Sequence, residues 1–197
     1  MNLYWKIFLP LILLWISTNH ADSHEFDKGL SAYFNYYEYD VARESFLIAT
    51  NQGHSDAAFY LGEIFEGGFS VAIDYQQAFN WYSRAAKSNH AKAQIRLADM
   101  YLTGRAVKQD LIRAQYWYLK AAQQGSPLAQ FRVARLYAKE SDQTRSDSVQ
   151  AYKWWTIAAW FGDPDALAER DIFAIQMKGA EISKAIRLAE KWEENFN

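Results

Sequence analysis

One nine-residue pattern recurs along this chain at near-constant spacing, and that regularity restricts the fold more than any other feature. Ala78-Phe79-Asn80-Trp81-Tyr82-Ser83-Arg84-Ala85-Ala86 returns as Ala114-Gln115-Tyr116-Trp117-Tyr118-Leu119-Lys120-Ala121-Ala122, and again as Ala151-Tyr152-Lys153-Trp154-Trp155-Thr156-Ile157-Ala158-Ala159. The steps are 36 and 37 residues, and a weaker copy begins at Ala42, 36 residues before the first. A period of that length marks an array of helical hairpins, each of which buries its apolar face only by stacking on a neighbour. The expected fold is all-α: an α-solenoid of stacked antiparallel helical hairpins, about ten helices in all, with a C-terminal capping helix.

Each unit divides into a helix A and a helix B. Ala57, Leu61, Ile64 and Phe65 fall at helical spacing, and Ala93, Leu97, Met100 and Tyr101, then Ala129, Val133, Leu136 and Tyr137, occupy the same slots further on. Helix B carries the repeated pattern, whose small residues stand where two helices approach closely. Gly53, Asn89, Gly125 and Gly162 share the slot after helix B, where a left-handed residue stops a helix. Asp74, Asp110 and Asp147 share the slot opening helix B, where a carboxylate caps free amides. Between the helices, Gly68-Phe69-Ser70-Val71 and Gly104-Arg105-Ala106-Val107 read as glycine turns followed by a buried valine.

The array is irregular at three places. Glu140 to Ser146 has neither the glycine nor the valine and reads as a longer, polar, mobile loop. Phe26 to Tyr36 and Val41 to Gln52 read as a partial first hairpin. Ile182, Ala185, Ile186, Ala189 and Trp192 form one face of a helix that caps the far end.

Residues 1–23 differ in kind. Lys6 precedes an apolar run from Ile7 to Ile16, and small residues follow at Ala21 and Ser23. This reads as a secretory signal peptide, with residues 24–197 forming a single repeat domain. The expected location is periplasmic or secreted; the alternative is an inner-membrane anchor made by an uncleaved signal, the only route by which the chain would meet a membrane. There is no cysteine, which excludes disulfides, thiolate metal sites and cysteine nucleophiles.

The repeated residues resemble the Sel1-like repeat family, a relative of the tetratricopeptide repeat. The family pattern runs Ala-x-x-x-Leu-Gly-x-x-Tyr-x-x-Gly-x-Gly-Val-x-x-Asp-x-x-x-Ala-x-x-Trp-Tyr-x-x-Ala-Ala-x-x-Gly. Ala57, Leu61, Gly62, Phe65, Gly68, Val71, Asp74, Ala78, Trp81, Tyr82, Ala85 and Ala86 follow it, and the next unit follows it with Ala98 and Ala106 in place of glycines. The resemblance spans Phe26 to Trp192 and implies an adaptor scaffold; exported bacterial members serve envelope assembly, polysaccharide export, signalling and host interaction. Cysteine-rich members that bind or hydrolyse β-lactams form another branch, from which this chain departs by having no cysteine.

No catalytic constellation, cofactor motif or metal-ligand cluster emerges from the sequence. His54 and His90 share one turn slot and read as turn residues, and the periodic Trp-Tyr pairs read as core. Charge says more. From Ala21 to Asn80 ten acids face only Lys28 and Arg43, whereas from Trp81 to Lys139 eleven bases face only Asp99 and Asp110. A net charge of −2 therefore conceals an acidic–basic–acidic chain able to steer an oppositely charged partner.

Tyr60, Arg96 and Arg132 occupy one helix A slot in successive units, flanked by Lys92 and Arg135. In related solenoids helix A lines the concave face. These five are the candidate partner-binding residues, for a protein with an acidic segment or an anionic envelope polymer; nucleic acid is not an expected partner. The reading is a non-catalytic interaction scaffold of the bacterial envelope. A cell-wall or polysaccharide-binding module using Tyr36, Tyr37, Trp160 and Phe161 is the alternative, and a β-lactam or cell-wall hydrolase a minor one.

Overall fold

The computed structural model describes residues 24–140 and 145–196. Ten helices and no strand occur among the described residues. Helix α1 covers residues 24–36, its last turn, Ala32–Tyr36, widening into a π-helix. There follow α2 (Tyr39–Asn51), α3 (Ser55–Gly67), α4 (Tyr75–Lys87), α5 (Ala91–Thr103), α6 (Leu111–Gln123), α7 (Pro127–Glu140), α8 (Arg145–Trp160), α9 (Pro164–Ala174) and α10 (Gly179–Phe196). Odd-numbered helices from α3 are the A helices. The expected signal peptide and most of the expected Glu140–Ser146 loop lie outside the described residues. The helices form two compact units, one ending at Ala93 and the other starting at Gln94, so the first turn of α5 belongs to the first unit.

In the first unit α2 packs on α3 and α3 on α4. Phe46, Leu61 and Ile64 are fully buried together with Ala42, Ala49 and Ala57, whose small side chains let the helix axes approach. Tyr82 on α4 is also fully buried; it lies against Gly62 of α3 and donates its hydroxyl to Glu66 Oε2 at 2.8 Å. Arg84 reaches from α4 to the carbonyl of Thr50 at 2.7 Å, which also accepts from the Gly53 amide, and so ties α4 to the end of α2. The loop valine Val71 is only partly buried against this core, where full burial was expected.

In the second unit Ala98 occupies the slot of Gly62, and Tyr118 that of Tyr82; both are fully buried. Gln94 and Gln130, one slot in successive A helices, are completely buried as well: Gln94 accepts from Gln124 Nε2 at 2.7 Å and Gln130 donates to the Ala122 carbonyl at 3.2 Å. Helix α10 covers α8 through Ala185 and its neighbours, which pack on Val149 and Tyr152. Its end is aromatic: Trp192 stacks on Phe196 with centroids 4.6 Å apart, and Phe196 fills the space a side chain on Gly125 would need. This is the expected cap.

The stops and starts are local. Gly53, Asn89, Gly125 and Gly162 have φ of 103°, 66°, 84° and 86°, the left-handed conformation that ends a helix. Asp74 accepts from the Gln77 amide and Asp110 from the Arg113 amide, each at 2.9 Å. Asp147 lies inside α8, which begins two residues earlier at Arg145, and not at the expected opening slot; its carboxylate sits in the first turn, where the helix dipole favours negative charge.

Candidate functional site

Among the described residues no group of three or more His, Asp or Glu side chains is arranged to hold a metal ion, and no helix is long and apolar enough to cross a membrane. The chemistry resides in two open depressions, one in each unit, both lined by A helices.

In the second unit, Arg132, Arg135, Leu136 and Lys139 are spaced three, four and seven residues apart along α7, and so share one face of that helix. With Leu102 of α5 and Tyr118 of α6 they line a cavity of about 260 Å³. Its floor is apolar and its rim carries three cations. The Tyr118 hydroxyl donates to Asp99 Oδ1; burial, then that hydrogen bond, pushes the phenol above its ordinary range and keeps it a donor. Arg132 is half-buried beside it, with an Nε that is buried and makes no hydrogen bond. Arg135 is exposed, its guanidinium 5.8 Å from the Phe131 ring, and Lys139 is exposed.

In the first unit, Phe26 and Leu30 of α1, Asp56, Phe59 and Tyr60 of α3, and His90, Ala91 and Lys92 line a wider depression of about 370 Å³. His90 stacks on Phe59 with centroids 4.6 Å apart, and its Nδ1 accepts from the Ala93 amide at 3.1 Å, capping α5. Its Nε2 lies 3.6 Å from Asp56. Burial holds the imidazole below its ordinary pKa, against the opposing pull of Asp56. Ser126 and Asp163 cap α7 and α9 from the same slot, so the turn reading of His90 becomes a specific role.

The five sequence candidates thus fall into separate sets. Tyr60 and Lys92 come together in the first unit, and Arg132 and Arg135 in the second. Arg96 is exposed on α5 and already engaged with neighbouring groups. Two members of the basic cavity were missed. Lys139 was legible as the seventh residue after Arg132 on one helix face, whereas Tyr118 was absorbed into the packing pattern. Tyr36 and Tyr37 are strongly exposed, at 67% and 69%. Trp160 and Phe161 are also exposed, and Phe161 packs edge-on against Trp192 and Phe196 of the cap.

The Sel1 repeat family model matches residues 55–90, 91–126 and 127–159, three segments that begin at the first residues of α3, α5 and α7. Among solved structures, a Sel1 repeat protein from Oxalobacter formigenes shares 28% identity with a TM-score of 0.64, over 86% of this chain and 73% of that one. A protective antigen present in uropathogenic Escherichia coli strains, displaying an SLR fold, shares 25% identity with a TM-score of 0.54 over 88% of this chain. The alignment spans 46% of that antigen. No curated protein is significantly similar to the chain.

Proposed function

Because the chain belongs to the Sel1 repeat family, whose members are in general protein-interaction scaffolds, we propose that it is a non-catalytic adaptor of the bacterial envelope that holds a protein partner against its A helices. The observation that carries this reading is the basic cavity of the second unit. Arg132, Arg135 and Lys139 place three cations around an apolar floor. That combination suits an acidic segment with an apolar residue beside its carboxylate: the cations select charge, and Leu102 and Leu136 shelter the apolar group. Planar guanidinium groups match carboxylates in two-point contacts. The envelope location rests on the signal-like sequence of the first 23 residues.

The test is calorimetric titration with short capped Gly-Ser peptides carrying leucine beside glutamate, with the glutamine counterpart as control. The acidic peptide binds, the glutamine peptide does not, and an Arg132→Glu, Arg135→Glu double variant weakens binding by about tenfold or more as two attractions become repulsions. Affinity falls with added salt. An unchanged affinity in the double variant, with its circular dichroism intact, refutes the reading.

A further inference from the structure

The helix A slots that carry Leu128, Arg132 and Arg135 in the third repeat carry Asp56, Tyr60 and Glu63 in the first. The repeat preserves the scaffold there and inverts the chemistry. We propose that the groove between α1 and α3 is a second docking site, independent of the basic cavity, for a polypeptide segment bearing an arginine or lysine beside an apolar residue.

The groove is built from rings and carboxylates. Tyr33 and Phe34 of α1 face Tyr60 of α3, with centroids 5.5 and 5.7 Å from it; the Phe34 contact is edge-on at 89°. Phe34 is 54% exposed, so one side of its ring remains open to solvent. Glu63 lies in this group and accepts a hydrogen bond from Tyr33. Burial, then the Glu63 charge, pushes the phenols of Tyr33 and Tyr60 upward, which places the carboxylate field at these rings. Aromatic faces and a carboxylate within a few ångströms of one another are the elements that hold a cationic head group, which is attracted to a ring within about 6 Å.

Charge sets both the occupant and its direction. From residue 24 to 80, nine carboxylates face two cations, and those two are already near acids: Lys28 lies 3.7 Å from Glu25, and Arg43 3.7 Å from Asp40. The depression between α1 and α3 shares Tyr60 with this ring cluster, and Lys92 and His90 stand in it beside Asp56. Glu63 follows Asp56 by two helical turns, roughly 10 Å along α3. A basic side chain is therefore repelled by Lys92 and drawn to the Glu63 end. The depression floored by Phe26, Leu30 and Phe59 then receives the adjacent apolar residue.

The experiment uses the full chain and a short capped Gly-Ser peptide carrying leucine beside arginine, against peptides with citrulline or glutamate in place of arginine. Binding is followed by calorimetry and by aromatic NMR signals of Tyr33, Phe34 and Tyr60. The arginine peptide binds about tenfold more tightly than the citrulline peptide and moves those three signals, while the glutamate peptide leaves them in place. Glu63→Gln and Phe34→Ser each weaken the arginine peptide by roughly threefold to tenfold. The Arg132→Glu, Arg135→Glu variant binds it normally, which separates failure here from failure of the basic cavity. Phe34→Ser touches an exposed ring and keeps the test valid even where Glu63→Gln disturbs folding. Equal affinity for arginine and citrulline, no saturation at millimolar peptide, shifts mapping elsewhere, or a groove filled by concentration-dependent self-association overturns the proposal. So does displacement of the peptide by a neutral oligosaccharide with unchanged affinity in Glu63→Gln, which would make the groove a glycan site.

Discussion

Gly62→Ala is the substitution that most directly probes how the repeat is held together. A Cβ at this position would stand 2.5 Å from Tyr82 Cδ1 and 2.9 Å from its Cζ, where carbon atoms prefer about 3.5–4.0 Å. The ring must retreat by about 1 Å, yet it is fully buried and tied to Glu66 through its hydroxyl. Overpacking of a closed core costs about 1–3 kcal/mol, and this site belongs at the upper end because its neighbour is pinned. Loss of the Tyr82 hydrogen bond adds about 1 kcal/mol. Alanine recovers about 1 kcal/mol through its better helix propensity. The expected net loss is about 2–3 kcal/mol, or roughly 5–10 °C in melting temperature for a chain of this size. Stability in stacked hairpins is partly local, so amide exchange across α3 and α4 accelerates first. Urea unfolding by tryptophan fluorescence measures the loss, and Tyr82→Leu supplies the second arm of a mutant cycle. In that background Gly62→Ala is neutral or stabilising by up to about 1 kcal/mol. An unfolding midpoint at or above wild type for the single variant refutes the argument. The second unit provides a natural control, because Ala98 and Tyr118 coexist there in the corresponding slots.

Ala106 has φ of 64° and Ser70 has φ of 58°, both left-handed, in a slot where the family pattern has glycine. The left-handed cost for an L-residue is about 1–2 kcal/mol, and glycine loses about 0.5–1 kcal/mol of it back through the unfolded chain, so Ala106→Gly stabilises by about 0.5–1 kcal/mol in urea unfolding. Destabilisation on that change would show that the strain is relieved locally. His90 supplies a pH dependence. Its folded pKa is lowered below the ordinary 6.5 by burial, so the unfolded chain binds a proton that the native state refuses. Its contribution is complete above 6.5 and is lost as pH falls toward the lowered value, at which point protonation of Nδ1 also removes the α5 cap. Thermal melts at descending pH show this slope, and His90→Ser, copying Ser126, flattens it; an unchanged slope in that variant assigns the dependence to other groups.

Much of the architecture was legible because its causes are short-range. The left-handed slot after each B helix needs glycine or asparagine, and all four positions take positive φ. The aspartate caps at Asp74 and Asp110 act within three residues. Asp147 shows where such reasoning stops: the same residue type in the same slot lies within the first turn, because α8 begins at Arg145. The candidate site was only half legible. Arg132 and Arg135 do share a cavity, and Lys139 follows on the same helix face, but Tyr118 is one of the repeated core residues and carried no distinguishing signal. Tyr60 was grouped with the arginines by its slot, whereas its neighbours in space are Phe26, Tyr33, Phe34 and Phe46.

The hairpin unit, its period, its stops and the segregation of charge follow from residue order alone, since each depends on residues a few positions apart. Which charges meet depends on how the helices pack. The rotation of each helix about its axis follows from packing contacts such as Tyr82 on Gly62 and α10 on α8, and that rotation selects which polar side chains point into a common space.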